Sequence, residues 1–295
     1  MPAQAQLTLF SPAKINLYLR IVGKRPDGYH DLETVMLPLD FGDTITLALR
    51  KTSITLESDN PLLPTDDTNL ALRAAKALAT RCGVEAGAKI TLRKRTPLAA
   101  GLGGGSSNAA AVLGGLNRLW NAGATEQIMH ELAASIGSDI NFFLTGSGAV
   151  CRGRGERVEP IPCKLSATIL LVNPGFGIST KWAYDKWADA SLTAPPPEVS
   201  LLLRALAEDD LKSTSSCLFN SLEVPSVRKF PVLELLKQAM RDEAAEGASM
   251  SGSGPTVFGL FAEDAAAQRA GQRIRERFGP SVWTQVTHFG RTSHS

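Results

Sequence analysis

The chain has 295 residues, enough for two ordinary domains or one large one with a sizeable buried core. Apolar residues make up 43% and charged residues 20%, with 31 basic against 29 acidic side chains and a formal net charge of +2. That is the composition of a soluble globular protein, and its charge balance gives no reason to expect nucleic acid or an anionic membrane as partner.

The N-terminal "MPAQAQLTLF" lacks a basic segment followed by an apolar one, so no signal peptide is expected. The longest apolar run, Ala167 to Val172, is too short to cross a bilayer. Only ten residues precede Ser11, which fits a bacterial-type cytoplasmic protein better than one with a targeting leader. The four cysteines, Cys82, Cys151, Cys163 and Cys217, are scattered without a C-x-x-C pair and read as reduced thiols.

Period-2 alternation predicts strands over Gln6–Phe10 and Ile15–Val22. "RPDGYH", Arg25 to His30, is a turn or loop. Strands follow over Asp43–Arg50 and Ser53–Ser58, then a helix over Asn69–Arg81 with Leu70, Ala74, Ala77 and Leu78 on one face. Ala88–Thr96 is a strand leading into a glycine-rich stretch and an Ala-rich helix. A helix over Glu126–Ile136 precedes a hairpin, Gly148–Arg152 with Glu156–Ile161, turning at "GRGE". The texture changes near residue 160, so residues 1–160 and 161–295 are expected to form separate domains.

In the second half "ATILLVNPG" is a buried strand. Helices are predicted over Thr180–Ala188, Glu198–Ala207 and Val227–Glu243, and "APPPE" (Ala194–Glu198) is a stiff loop. A strand over Pro255–Ala262, a helix over Glu263–Gly279 and a strand over Ser281–Phe289 close the chain.

"TPLAAGLGGGSSNAAAVL", Thr96 to Leu113, sets Gly101, Gly103, Gly104 and Gly105 against Ser106, Ser107 and Asn108 at a helix start. The first amides of a helix have no intrahelical partner, and the dipole makes that end positive. Glycines there let backbone approach a ligand, so the pattern describes an anion site, most often one for phosphate. It is not a Walker A loop, since no lysine adjoins the serines. Nor is it a G-x-G-x-x-G fingerprint, because the last position counted from Gly101 is Ser106. A protein-kinase glycine loop lies between strands, and no H-R-D or D-F-G accompanies this one. A second stretch, "GASMSGSGPTVFGLF" (Gly247–Phe261), reads as a Gly/Ser turn into a strand, with a second mobile backbone meeting the same ligand as the functional alternative.

These two stretches and "SPAKINLYL" (Ser11–Leu19) resemble, in order and spacing, the three motifs of the GHMP small-molecule kinases. The resemblance spans nearly the whole chain. It implies an α+β two-domain fold: an N-terminal domain like the second domain of ribosomal protein S5 and a ferredoxin-like C-terminal domain. "PAKINL", "RPDGYHDLETVM" and "GSDINFFL" are the discriminating pieces. They imply ATP as donor and, as acceptor, a cytidine diphosphate-linked methylerythritol phosphorylated at its 2-hydroxyl in the non-mevalonate isoprenoid route. A monomer or weak homodimer is implied.

The same resemblance implies Asp139 as proton-accepting carboxylate, with Lys14 beside it. Lys14 would keep that carboxylate ionised and offset charge on the reacting oxygens. Leu102, Gly103, Gly104, Gly105, Ser106 and Ser107 would cradle the ATP phosphates, with a serine hydroxyl reaching Mg²⁺; no carboxylate pair offers a dedicated metal site. Asn69 and Leu70 would border the adenine, and Lys94 is a further nucleotide candidate whose plainer reading is a surface charge at a strand end. Tyr29 and His30 correspond to cytosine-binding positions, and Thr180 and Tyr184, four apart on one helix face, to the stretch that closes over the base. Trp182 faces elsewhere. Asn16, on the same strand face as Lys14, would contact acceptor. One departure stands out: the family commonly has Val-Pro after the aspartate, and here Ile140-Asn141 follows. Two rival readings share the glycine stretches: a GHMP kinase of mevalonate or homoserine type, and a nucleotide-binding module without catalysis.

Overall fold

The computed structural model describes residues 6–187 and 195–290. Ala188, the predicted end of one helix, and Ala194, the start of the proline loop, lie outside them.

The chain begins with two long strands, β1 (Gln6–Lys24) and β2 (His30–Arg50), followed by β3 (Ile54–Ser58), α1 (Leu70–Cys82), β4 (Gly87–Arg93), α2 (Gly104–Leu119), α3 (Glu126–Ile136), α4 (Ile140–Thr145) and the hairpin β5 (Ala149–Gly153) and β6 (Arg157–Pro160). Next come β7 (Thr168–Asn173), α5 (Thr180–Trp187), α6 (Val199–Ala207), α7 (Leu211–Ser216), β8 (Phe219–Asn220), α8 (Glu223–Lys229) and α9 (Val232–Asp242). The chain ends with β9 (Gly247–Met250), β10 (Val257–Phe261), α10 (Asp264–Phe278) and β11 (Trp283–His288). Among the described residues no helix is long and apolar enough to cross a membrane.

Two sheets result. One runs β3-β4-β2-β1-β8 with β5 and β6 attached to β2; the other runs β11-β7-β10-β9. Strand β8 is the crossing point, since it follows β7 in the chain yet pairs in parallel with β1. Alternation explains how the sheets stack. Ala13, Ile15 and Leu17 of β1 face a shared core with Ile169 and Leu171 of β7 and Phe258 and Leu260 of β10. Leu170 and Val172, one register step away, face α9 and α10 through Leu236, Met240, Ala270 and Ile274. Strand β7 is therefore buried on both sides, which is why its sequence is a continuous apolar run. Helices α1 and α2 cover the outer face of the first sheet with Leu72, Leu78, Val112 and Leu116.

Several elements differ from the sequence reading. Gln6–Phe10 and Ile15–Val22 are one strand, because register shifts at Pro12/Lys14 and Asn16/Tyr18 absorb the irregular residues without ending the ladder. Strand β2 likewise continues upstream from Asp43 to His30. The predicted helix Val227–Glu243 is two helices, broken at Phe230–Pro231, since proline disfavours the helical conformation of the residue before it. The second glycine stretch is a hairpin: β9 pairs with β10, and residues 251–256 make the turn.

Candidate active site

The two glycine stretches meet where the sheets converge, and between them opens a cavity of about 910 Å³. The Gly101 carbonyl accepts from the Lys14 ammonium at 3.0 Å and from the Ser251 hydroxyl at 2.9 Å. Gly101 has φ +78°, and a Cβ there would stand 2.1 Å from the Ser251 carbonyl oxygen. Glycine is needed at this position for both reasons.

Gly103, at φ 69°, caps α2, which has no side-chain cap and no acid in its first turn. The early amides of α2 face the cavity, and Gly103, Gly104, Gly105 and Ser106 line it together with the buried Leu102. Ser107 departs from the sequence reading. Its amide donates to the Gly103 carbonyl at 2.9 Å, and its hydroxyl accepts from Ser11 at 2.8 Å in the core. It supports the loop from behind instead of cradling a ligand.

Lys94 is not the surface charge of the plainer reading. It lines the cavity, yet its side chain is 3% exposed and its ammonium pairs with the fully buried Asp43. Asp43 also accepts from the Arg95 and Thr96 amides at 2.8 and 2.9 Å and from the Asn108 amide at 3.0 Å. One carboxylate thus ties the end of β4 to the first turn of α2. Sequence reasoning missed it, because its partners lie fifty and more positions away. Asn69, also in the lining, caps α1: its carbonyl oxygen accepts from the Ala71 amide at 2.9 Å and its amide donates to the Pro64 carbonyl at 2.7 Å. Leu70 lies beside it, against Gly105.

Mid-cavity, Lys14 is 3% exposed. Burial pulls its pKa below the ordinary lysine value, opposed by the nearby Asp139 charge. Its ammonium donates to the Asn16 carbonyl oxygen at 2.5 Å, and Asn16 in turn donates to Thr34 at 2.8 Å. Lys14 and Asn16 share a strand face that points away from the apolar core. The Asp139 carboxylate stands 3.9 Å from the Lys14 ammonium, 37% exposed into the cavity. Asp139 is the N-cap residue of α4 but makes no capping bond with its side chain, so both carboxylate oxygens stay available.

The far end is aromatic. His30 stacks on Tyr184, centroids 5.4 Å apart at 29°, and meets the edge of Trp187 at 5.6 Å. The His30 Nε2 is buried without a hydrogen-bond partner. Burial and the Lys24 charge hold the His30 pKa below its ordinary value, and burial pushes the Tyr184 phenol up. Tyr29 is more open, 56% exposed, with the Arg154 guanidinium 5.0 Å above its ring. Arg154 lines this end and had no signal in the sequence reading. Thr180 shares a hydrogen bond with Ser253 of the second glycine turn at 3.1 Å. Trp182 points the other way, onto Phe230 and under Lys229.

No group of three or more His, Cys, Asp or Glu side chains fit to hold a metal occurs among the described residues. The donor set suits Mg²⁺ carried on nucleotide phosphates, with the Ser106 hydroxyl as the loop's side-chain oxygen, and does not suit an all-protein metal site.

Sequence patterns place this architecture. Residues 69–147 match the GHMP kinases N-terminal domain and residues 202–280 the GHMP kinases C-terminal domain. The chain belongs to the GHMP kinases and has their two-domain α+β fold. Within them its relatives are specific. It is 42% identical over 266 residues to the 4-diphosphocytidyl-2-C-methyl-D-erythritol kinase of Bacillus pumilus, covering 90% of this chain and 91% of that protein. The enzyme of the same name from Gloeobacter violaceus is 42% identical, covering 88% and 87%. A crystal structure of 4-(cytidine 5'-diphospho)-2C-methyl-D-erythritol kinase superimposes with a TM-score of 0.77 at 35% identity, over 96% of this chain and all of that one. Homoserine kinase from Cytophaga hutchinsonii, 21% identical with a TM-score of 0.71 over 98% and 96%, shares the fold. The chain therefore belongs to the 4-diphosphocytidyl-2-C-methyl-D-erythritol kinase family.

Proposed function

We infer that this protein transfers the γ-phosphoryl group of ATP to the 2-hydroxyl of 4-diphosphocytidyl-2-C-methyl-D-erythritol, a step of the non-mevalonate isoprenoid route. GHMP kinases take ATP as donor. The observation that carries the reading is one continuous cavity with three chemistries in line: free helix amides at one end, Lys14 and Asp139 in the middle, and the His30–Tyr184 aromatic wall at the other.

Phosphoryl transfer asks a protein mainly for position and charge stabilisation. The amides of Gly104, Gly105 and Ser106 bind the donor phosphates, with Asn69, Leu70 and Lys94 on the nucleotide side. Asp139 accepts the proton of the attacking hydroxyl. Lys14 offsets the negative charge building on the reacting oxygens, and Asn16 orients both the lysine and the acceptor. The Ser106 hydroxyl would help to hold Mg²⁺ carried on the donor phosphates, which would supply further charge neutralisation there. Tyr184 and His30 take the cytosine by stacking and by the free ring nitrogen, with Tyr29 and Thr180 at the rim. The sheets support dividing the chain near residue 160, with β8 reaching back to the first unit.

The test is ADP release with Mg-ATP and either 4-diphosphocytidyl-2-C-methyl-D-erythritol or unconjugated methylerythritol phosphate. Turnover with the cytidyl compound alone supports the reading. Turnover with neither, by folded protein that binds ATP, sinks the acceptor assignment.

A further inference from the structure

We propose that Asn141 is a positioning residue for the reacting carboxylate. The inference rests on the reading of Asp139 given above. Among the described residues Asp139 is held only loosely: its side chain makes no capping bond, and its ion-pair partner is 3.9 Å away. Two residues on, Asn141 is 5% exposed and uses both ends of its amide. Its carbonyl oxygen accepts from the His130 ring Nδ1 of α3 at 3.0 Å, and its amide nitrogen donates to the Glu156 carbonyl, in the β5–β6 turn, at 3.2 Å.

Those two anchors tie the first turn of α4 to α3 and to the β5–β6 turn. The turn held by Asn141 is the one that borders the carboxylate: a Cβ on Gly155 would stand 3.7 Å from Asp139 Oδ1. Glu156 also organises that turn, since its carboxylate accepts from the Arg154 amide at 2.6 Å, which sets the guanidinium over Tyr29. One buried amide therefore fixes the first turn of α4 against both α3 and the hairpin turn that borders the reacting aspartate. The His130 bond survives protonation, because Nδ1 donates in the cation as well, and Glu126 then faces Nε2 at 3.7 Å.

The experiment compares wild type, Asn141→Ala, His130→Ala and the double variant in the ADP-release assay, with the melting temperature of each recorded. His130 is 36% exposed in its side chain and lies outside the cavity, so its variant reports even if Asn141→Ala folds poorly. Expected is a fall in kcat of about tenfold for Asn141→Ala and about threefold for His130→Ala, with the ATP KM within about twofold, as small displacements of a reacting group cost rate and not donor binding. The double variant should be no worse than Asn141→Ala, since both act through one latch. A kcat within about twofold of wild type in Asn141→Ala overturns the proposal, as does a double variant equal to the product of the singles. Inactive wild type would instead count against the functional reading, and is seen separately.

Discussion

The ammonium of Lys14 and the carboxylate of Asp139 face each other across 3.9 Å, the lysine sealed at 4% side-chain exposure and the aspartate open at 37%. The asymmetry divides the labour. The buried cation stays fixed on the Asn16 and Gly101 oxygens, while the carboxylate meets whatever enters the cavity. Asp139→Asn keeps the shape and removes the proposed base, so kcat should fall by about 10²–10⁴ while both KM values change little. Steady-state kinetics decide it: a loss of less than threefold would place proton acceptance elsewhere.

In the proposed mechanism Lys14 acts as a cation, and burial lowers its pKa from the ordinary value of 10.5. The ammonium is lost as pH rises through that lowered value, so the alkaline limb of kcat should lie below the usual lysine range. Lys14→Arg, which stays charged, should have lower activity at neutral pH but lack that limb. A limb at the same pH in both proteins would assign it to another group.

Tyr184 and Trp182 sit two positions apart on α5 and should behave oppositely. Tyr184 lines the cavity and stacks on His30; Trp182 packs on Phe230. An aromatic pairing is worth about 0.5–1.5 kcal/mol, so Tyr184→Leu should raise the acceptor KM by roughly three- to tenfold and leave the ATP KM alone. Trp182→Leu should leave the acceptor KM unchanged and lower the melting temperature. Equal effects on acceptor KM would remove Tyr184 from the cytosine site.

Much of this architecture was legible where a pattern is local. The α3 boundaries follow from periodicity and the Thr125 cap, and the glycine loop announces itself by composition. Lys14 and Asp139 were legible only through family resemblance; a lone lysine in a strand and a lone aspartate before a short helix carry no signal of their own. Asp43 was illegible for a physical reason: it is a fully buried acid whose four donors come from the end of β4 and from α2. The continuity of β1 was hidden because Pro12 looks like a strand end, whereas a register shift carries the ladder past it. The break at Phe230–Pro231 was available from the proline.

Gly103→Ala tests the phosphate loop. The position has φ +69°, and an added Cβ would meet the Phe143 ring at 2.9 Å and Lys14 Cγ at 3.0 Å. A left-handed conformation costs an L-residue about 1–2 kcal/mol, and the crowding adds to it. Melting temperature should fall by several degrees, and kcat should fall more than stability accounts for at an assay temperature where the variant is folded, because the methyl pushes on Lys14. Unchanged kcat and stability would show that the loop tolerates a side chain there.

His288 tests a contact far from the cavity. It closes β11 onto two acids, Nε2 on Asp264 at 2.8 Å and Nδ1 near Asp40 at 3.4 Å, with its amide donating to Asp40 at 2.9 Å. Asp40 belongs to the first sheet and Asp264 to the start of α10, so the imidazolium bridges the two layers. The hydrogen bond to Asp264 raises the His288 pKa above 6.5. A raised histidine contributes stability that is fully present below its unfolded pKa and is lost as pH rises through the folded one. The side chain is 46% exposed, which limits the contribution to about 1 kcal/mol. The melting temperature of wild type should therefore exceed that of His288→Gln by roughly 1–3 °C at pH 5.5 and by little at pH 8.5. A gap that stays constant across that range would mean that the bridge holds as a neutral hydrogen bond and that its charge stabilises nothing.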